Sequence, residues 1–318
     1  TILQLIYLNF TAPRFDETDL ANMKKMYVPY FKNMESDPNY IVGREFQKTI
    51  YGDHARRQIT SASQIEAINI PSLQAIHSKL FGYADDFRFV IVGNVDLNTL
   101  KPLVEKYIGS LPTSKKVEYA VVDDGVRFAE GNVVNDFRTA MQQPKVSVRL
   151  VYAGDMEYNA KNRLIVDLLS RALDSRYMIS IREEKGGTYG VSVQGGIDEY
   201  PVEKYMMAIV FDTNEQLADE LVEICDKEIK KIAEEGPLAD DVAKSKEFLQ
   251  KNYNNVLENN GGWMSAITRW YEEGYNFKEE YLGVLESVTL DDVKAFAQKM
   301  LNDGNRTLVV MRPDNTTK

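Results

Sequence analysis

A helix, a polar loop and an apolar strand are written twice in this chain, roughly 220 residues apart. Residues 68–92 read INIPSLQAIHSKLFGYADDFRFVIV, and residues 288–310 read VTLDDVKAFAQKMLNDGNRTLVV. Ala75 matches Ala295 and Lys79 matches Lys299. Apolar Leu73, Ile76, Leu80 and Phe81 match Val293, Phe296, Met300 and Leu301. Unrelated helix–loop–strand units also match this well by chance, so duplication is an expectation. If it holds, it constrains the fold more than any other feature. The chain becomes an α+β protein of tandem similar lobes, each a mostly antiparallel sheet with helices covering one face. Residues 114–318 form a complete lobe, and residues 1–113 form a copy that lacks its beginning. The opening Thr1-Ile2-Leu3-Gln4-Leu5-Ile6-Tyr7-Leu8 is apolar from the first residue, with neither Met nor a signal-peptide pattern. The expectation is a fragment of a longer protein.

Local signals place the elements. After a break at Thr11-Ala12-Pro13-Arg14, Asp16 or Thr18 is the candidate cap of a helix running to about Met34, with Pro29 inside it. Asp37-Pro38 ends that helix, another runs to about Ile50, and a short one spans Ser72 to Phe81. Phe87–Val92 is rich in strand formers. Gly93-Asn94-Val95-Asp96 then leads into a helix over Leu97–Ile108, capped by Asp96. Leu111-Pro112-Thr113-Ser114-Lys115-Lys116 is the best linker. Beyond it, Val117–Val122 is weakly strand-like and Val146–Tyr152 clearly so. A helix from about Asn159 carries Leu164, Ile165, Leu168, Leu169, Ala172 and Leu173 at helical spacing. Gly186-Gly187 stops it. Strands follow at Tyr189–Gln194 and Tyr205–Phe211. The rest is mainly helical to Met300, and Thr307–Met311 closes as a strand.

The chemistry available to this chain is narrow. With 44% hydrophobic and 27% charged residues it is ordinary globular protein. A net charge of −10 argues against nucleic acid as the main partner, because phosphate recognition needs clustered Lys and Arg. No apolar run reaches the ~18–20 residues of a membrane span. Cys225, the single cysteine, falls on the apolar side of a helix and reads as a buried structural thiol. The two histidines, His54 and His77, show no metal-site spacing. No cofactor is expected in this chain, and nothing in it fixes a cellular compartment.

The most distinctive segment is Ser180-Ile181-Arg182-Glu183-Glu184-Lys185-Gly186-Gly187-Thr188-Tyr189-Gly190-Val191. Arg182 ends a helix, two glycines turn the chain, and Tyr189 starts a strand. A tight turn would bring a guanidinium and a phenol to one sheet edge, offering a charged fork and a neutral donor to a peptide carbonyl. The bland reading also fits: an Arg on its own helix dipole and a Tyr packed for area.

The run I-R-E-E-K-G-G-T-Y-G-V resembles the Arg/Tyr segment of the pitrilysin/insulinase family of zinc metallopeptidases. Leu5–Arg14, Phe89–Asp96 with its following helix to Leu111-Pro112, and Asn260-Gly261-Gly262-Trp263 fit the same family in the same order. The likeness spans nearly the whole chain and is strongest to the long single-chain bacterial members. It implies a clamshell of four similar lobes. The first lobe holds zinc through H-x-x-E-H and a further Glu, and the fourth supplies an Arg and a Tyr facing the metal. Residues 1–113 would be the C-terminal part of the third lobe and 114–318 the fourth. Arg182 and Tyr189 would be the catalytic and substrate-binding residues, with zinc ligands upstream of this chain and no metal in the fragment, which alone should be inactive. The implied partners are the upstream half of the same polypeptide and a peptide substrate. The alternative is a non-catalytic structural or peptide-binding homologue. A third reading is an unrelated two-lobe α+β ligand-binding domain.

Overall fold

The protein is described by a computed structural model, in which the described residues are 1–114, 120–183, 185, 186, 188 and 190–314. Six helices come first: α1 (Ile2–Thr11), α2 (Glu17–Met34), α3 (Pro38–Tyr51), α4 (Ala62–Ala67), α5 (Ile70–Phe81) and α6 (Leu97–Tyr107). Strands β1 (Asn132–Thr139) and β2 (Val146–Asp155), helix α7 (Ala160–Tyr177), and strands β3 (Val191–Asp198) and β4 (Lys204–Thr213) follow. The chain continues through α8 (Ala218–Glu235), α9 (Ala239–Leu257), α10 (Asn260–Glu273), α11 (Phe277–Ser287), α12 (Leu290–Asp303) and strand β5 (Arg306–Pro313).

The helix starts follow their capping residues. Asp16 accepts the Thr18 and Asp19 amides at 2.8 and 3.1 Å, and Asp37 accepts the Asn39 amide at 2.7 Å with Pro38 at the first helical turn. Asp96 and Asn159 cap α6 and α7 in the same way.

The chain forms two compact units that are discontinuous in sequence. One comprises Thr1–Glu35, Thr60–Ala120 and Glu258–Thr268, and its described residues are helical or irregular. Phe10 is its buried centre, with Phe81, Phe87 and Phe89 around it at ring separations of 5.6, 4.9 and 6.3 Å. Phe87–Val92, expected as a strand, does not form one. A strand needs a neighbour to take its amides and carbonyls, and this unit offers no described strand. The second copy of the sequence repeat behaves differently, because α12 leads into β5, which is paired on both sides. The likeness of two tandem lobes is therefore not displayed among the described residues, where one sheet is present.

That sheet belongs to the other unit, Ser36–Ile59, Val121–Leu257 and Arg269–Lys318. It is mixed, with strand order β1-β5-β2-β4-β3. β1 runs parallel to β5, and the remaining pairs are antiparallel. Of the weak strand expected at Val117–Val122, residues 117–119 lie outside the described residues and 120–122 are irregular. The strand that forms instead is β1. Its polar residues, Asn132, Asn135, Asp136 and Arg138, suit an edge and hide it from a search for apolar runs.

Both faces of the sheet are covered. On one, Val148, Leu150, Tyr205, Met207, Ile209, Phe211 and Val310 pack against α7, α8 and α12, with Leu168, Leu169, Leu173, Cys225, Ile229, Phe296 and Met300 prominent. On the other, Val151, Ala153, Ala208, Val309 and Met311 pack against Val42, Phe46 and Ile50 of α3. Helices on one face only were expected. The second face is apolar enough to need a cover, and α3 repeats its apolar residues every four positions, which aligns them in one stripe. Asp226 of α8 fixes the layers further. It accepts from the Tyr152 hydroxyl at 2.6 Å and takes a two-pronged bond from Arg306 at 3.1 and 2.8 Å. Leu169→Ala should lower the unfolding free energy by about 2–5 kcal/mol in chemical denaturation, because Leu169 has no solvent exposure. Lys244→Ala, at an exposed ion pair with Asp240, should leave it unchanged within error.

Candidate functional site

The Arg182 segment grows out of the end of α7. Tyr177 is fully buried, and its hydroxyl donates to the Cys225 carbonyl at 3.0 Å, tying the helix end to α8. Burial, then the charge of Asp226, pushes the Cys225 thiol well above its ordinary range, so it is an inert packing group. Arg176 pairs with Glu228 of α8. From Met178 to Glu183 the helix widens into a π turn, a form that recurs at functional sites. Ile181, with no exposure, pins this turn into the core, and the Ser180 hydroxyl donates to the Arg176 carbonyl at 3.0 Å.

Arg182 therefore lies within a π turn, where an ordinary helix end was expected. Its guanidinium is exposed and donates to the Met178 thioether at 3.2 Å, a weak acceptor. The chain then reverses at Gly186, whose φ of +62° suits glycine and whose amide donates to the Arg182 carbonyl at 3.1 Å. Lys185 is tied to Glu220 at 2.6 Å. Tyr189, the other expected site residue, and Gly187 lie outside the described residues. The strand begins at Val191, two residues later than expected. The reason is Thr188, whose hydroxyl donates to the Gly190 carbonyl at 3.0 Å and accepts the Gly190 amide at 3.2 Å, occupying groups a ladder would use.

α7 also holds β3, which follows this loop. The Ser170 hydroxyl donates to the Val193 carbonyl at 3.1 Å. A Cβ at Gly195 would stand 2.8 Å from the Val166 side chain, so only glycine allows this approach. Thr188 and Gly190 form part of the wall of a groove of about 350 Å³ on the α3 face of the sheet. Arg149 of β2 lines it too. The sequence reading passed over this residue, although a lone cation inside the run V-S-V-R-L-V-Y was its signal.

The histidines have structural roles. His54 Nδ1 accepts the Arg56 amide at 3.3 Å, which leaves Nε2–H to donate to the Asp124 carbonyl at 3.0 Å. His77 stacks on Phe81 with Phe15 at its edge. Among the described residues no group of three or more His, Cys, Asp or Glu side chains could hold a metal ion. No described helix is long and apolar enough to cross a membrane.

Residues 67–249 match the family model described as the peptidase M16 inactive domain. A zinc protease PQQL-like protein of Arabidopsis thaliana is 22% identical over 285 residues, covering 86% of this chain and 30% of its own length. The crystal structure of the periplasmic protease PqqL from Escherichia coli superposes with a TM-score of 0.83 at 20% identity, covering 98% of this chain and 34% of that one. A peptidase M16 inactive domain from Pseudomonas fluorescens gives 0.76 at 19% identity, covering all of this chain and 75% of that one. The chain thus spans about a third of the length of the PqqL proteins it resembles. The resemblance drawn from the segment around Arg182 holds, and the chain belongs to the peptidase M16 family, in the region described as its inactive domain.

Proposed function

We propose that this chain is the C-terminal, substrate-binding part of a longer zinc-dependent endopeptidase, in which Arg182 and Tyr189 grip the peptide backbone beside the scissile bond. Residues 1–113 are read as the end of a third lobe and residues 114–318 as the fourth. The zinc and its ligands belong to the rest of that longer chain.

The observation that carries the reading is Arg182. An exposed guanidinium stands on a turn anchored by buried Ile181, and among the described residues its partner is a thioether. Among the described residues that cation has no strong protein acceptor, and a peptide carbonyl is one. Arg182 would hold the substrate carbonyl and restrict the motion of the bound chain. The Tyr189 hydroxyl would donate to the oxyanion of the tetrahedral intermediate, where one fixed donor lowers the barrier substantially. Substrates would be extended peptides that pair with a sheet edge.

A second reading, a peptide-binding homologue without catalysis, draws on the description of the matched domain as inactive. Turnover by the longer chain separates the two. There, Tyr189→Phe should reduce kcat by about 10²-fold or more with KM little changed. Arg182→Lys keeps the charge but loses the planar fork, and should lower kcat and raise KM. A Tyr189→Phe protein with unaltered kcat/KM would remove the catalytic role. The 318-residue chain by itself should retain far less than one zinc per chain after dialysis and should not cleave a quenched peptide. Stoichiometric zinc in that sample would contradict the assignment of ligands to another part of the protein.

A further inference from the structure

Arg149 is a cation whose position packing alone does not explain. It stands on the α3 face of β2, between Ser147 and Val151, in a strand otherwise built of apolar and small residues. Its guanidinium lies 5.3 Å from the Phe46 ring centre. Its Nε is buried and has no hydrogen-bond partner. A buried donor left without an acceptor is costly, and native structures rarely leave one so.

The neighbouring acid does not fill that need. Asp212 faces Ser147 across the β2–β4 pair, and both its oxygens are engaged. One accepts from the Ser147 hydroxyl at 2.7 Å and the other from Lys145 Nζ at 2.7 Å. Lys145 also reaches the Asn39 side-chain oxygen at 3.2 Å. Lys145 and Asp212 therefore balance each other, and among the described residues the groove keeps one positive charge. Thr188, on the same wall, spends its hydroxyl on Gly190. Burial pulls the Arg149 guanidinium below its ordinary pKa, with Asp212 acting the other way through space. Arginine nonetheless stays charged at neutral pH.

We propose that the groove floored by Arg149 is a subsite for a carboxylate of the bound peptide. A volume of about 350 Å³ accommodates a side chain or a chain end. Thr188 and Gly190 in its wall flank Tyr189 in sequence, so an occupant would belong to the peptide that Tyr189 is proposed to touch. In a chain of net charge −10, a groove with one unspent cation selects for an acidic group against a general acidic background. The carboxylate is supplied by an Asp or Glu side chain or by a free C-terminus. The inference rests on the peptide-binding reading above and adds a preference to it.

The test is equilibrium binding by fluorescence anisotropy with the 318-residue chain. The probes are a short unstructured dye-labelled peptide carrying one Glu, its Gln counterpart, and each of these with a free or an amidated C-terminus. At least one carboxylate should tighten binding by about tenfold or more, the scale of a charge-assisted bond to a buried partner. Preference for Glu over Gln identifies a side-chain carboxylate, and preference for the free over the amidated end identifies a chain terminus. Arg149→Met, which keeps the packing on Phe46, should abolish the preference. Arg149→Lys should restore part of it. Equal binding of all four peptides by the unaltered chain overturns the subsite and leaves the peptide-binding reading intact, whatever the variants' stability. A preference that survives in a folded Arg149→Met protein overturns it too. Failure to bind any of the four overturns both.

Discussion

β2 has no side that faces water. Val148 and Leu150 are sealed beneath α7, α8 and α12, and Val151 and Ala153 beneath α3. The interior strand of an open sheet meets this condition only if two layers of helix are present, and both must arrive in the right place. Other arrangements follow from it. α7 must lie close enough to β3 that glycine is required at position 195, and α8 must offer Asp226 at the depth where Tyr152 and Arg306 can reach it. The bond between the Tyr177 hydroxyl and the Cys225 carbonyl then sets where α7 can stop. The π turn bearing Arg182 starts at that stop, so the position of the candidate site is inherited from the packing of the core.

The site itself obeys a different economy. Arg182 and Lys185 are exposed, and local hydrogen bonds run from Gly186 back to Arg182 and from Thr188 to Gly190. These fix the path of the loop without consuming the guanidinium. The core supplies rigidity from behind through Ile181. Such a division leaves polar groups available to a ligand while holding their attachment points still, which a group acting on a reacting carbonyl needs.

Much of this was legible in the sequence because it is written locally. Asp16 and Asp96 announce helix starts, and each caps one; the helix expected from about Asn159 starts there, while Asp37, read as ending one helix, caps the next. The apolar runs of β2, β4 and β5 are strands. Legibility failed where an outcome depends on a distant partner. Phe87–Val92 has strand composition, but composition does not supply a neighbouring strand. β1 was missed because an edge strand needs few apolar residues. Val42, Phe46 and Ile50 mark a helix stripe without naming the sheet that receives it. The family likeness around Arg182 survived comparison with known proteins, whereas Arg149 showed in the sequence only as a lone cation in an apolar run, and its surroundings needed the sheet.

The helix that closes the second face comes from far away in sequence. α3 ends at Tyr51, while the residues it covers lie at 151, 153, 208, 309 and 311. A piece of the protein started at the linker near residue 114 would carry all five strands and leave that helix behind. Val151, Ala153, Ala208, Val309 and Met311 would then meet solvent as a flat apolar surface, the kind that drives self-association. For anyone expressing the sheet as a separate module, the practical boundary is upstream of Asp37, ahead of the residue that caps α3. A cut at the linker that reads as a border in the sequence would part the sheet from the helix that covers it, because Ser36–Ile59 and Val121–Leu257 belong to one compact unit.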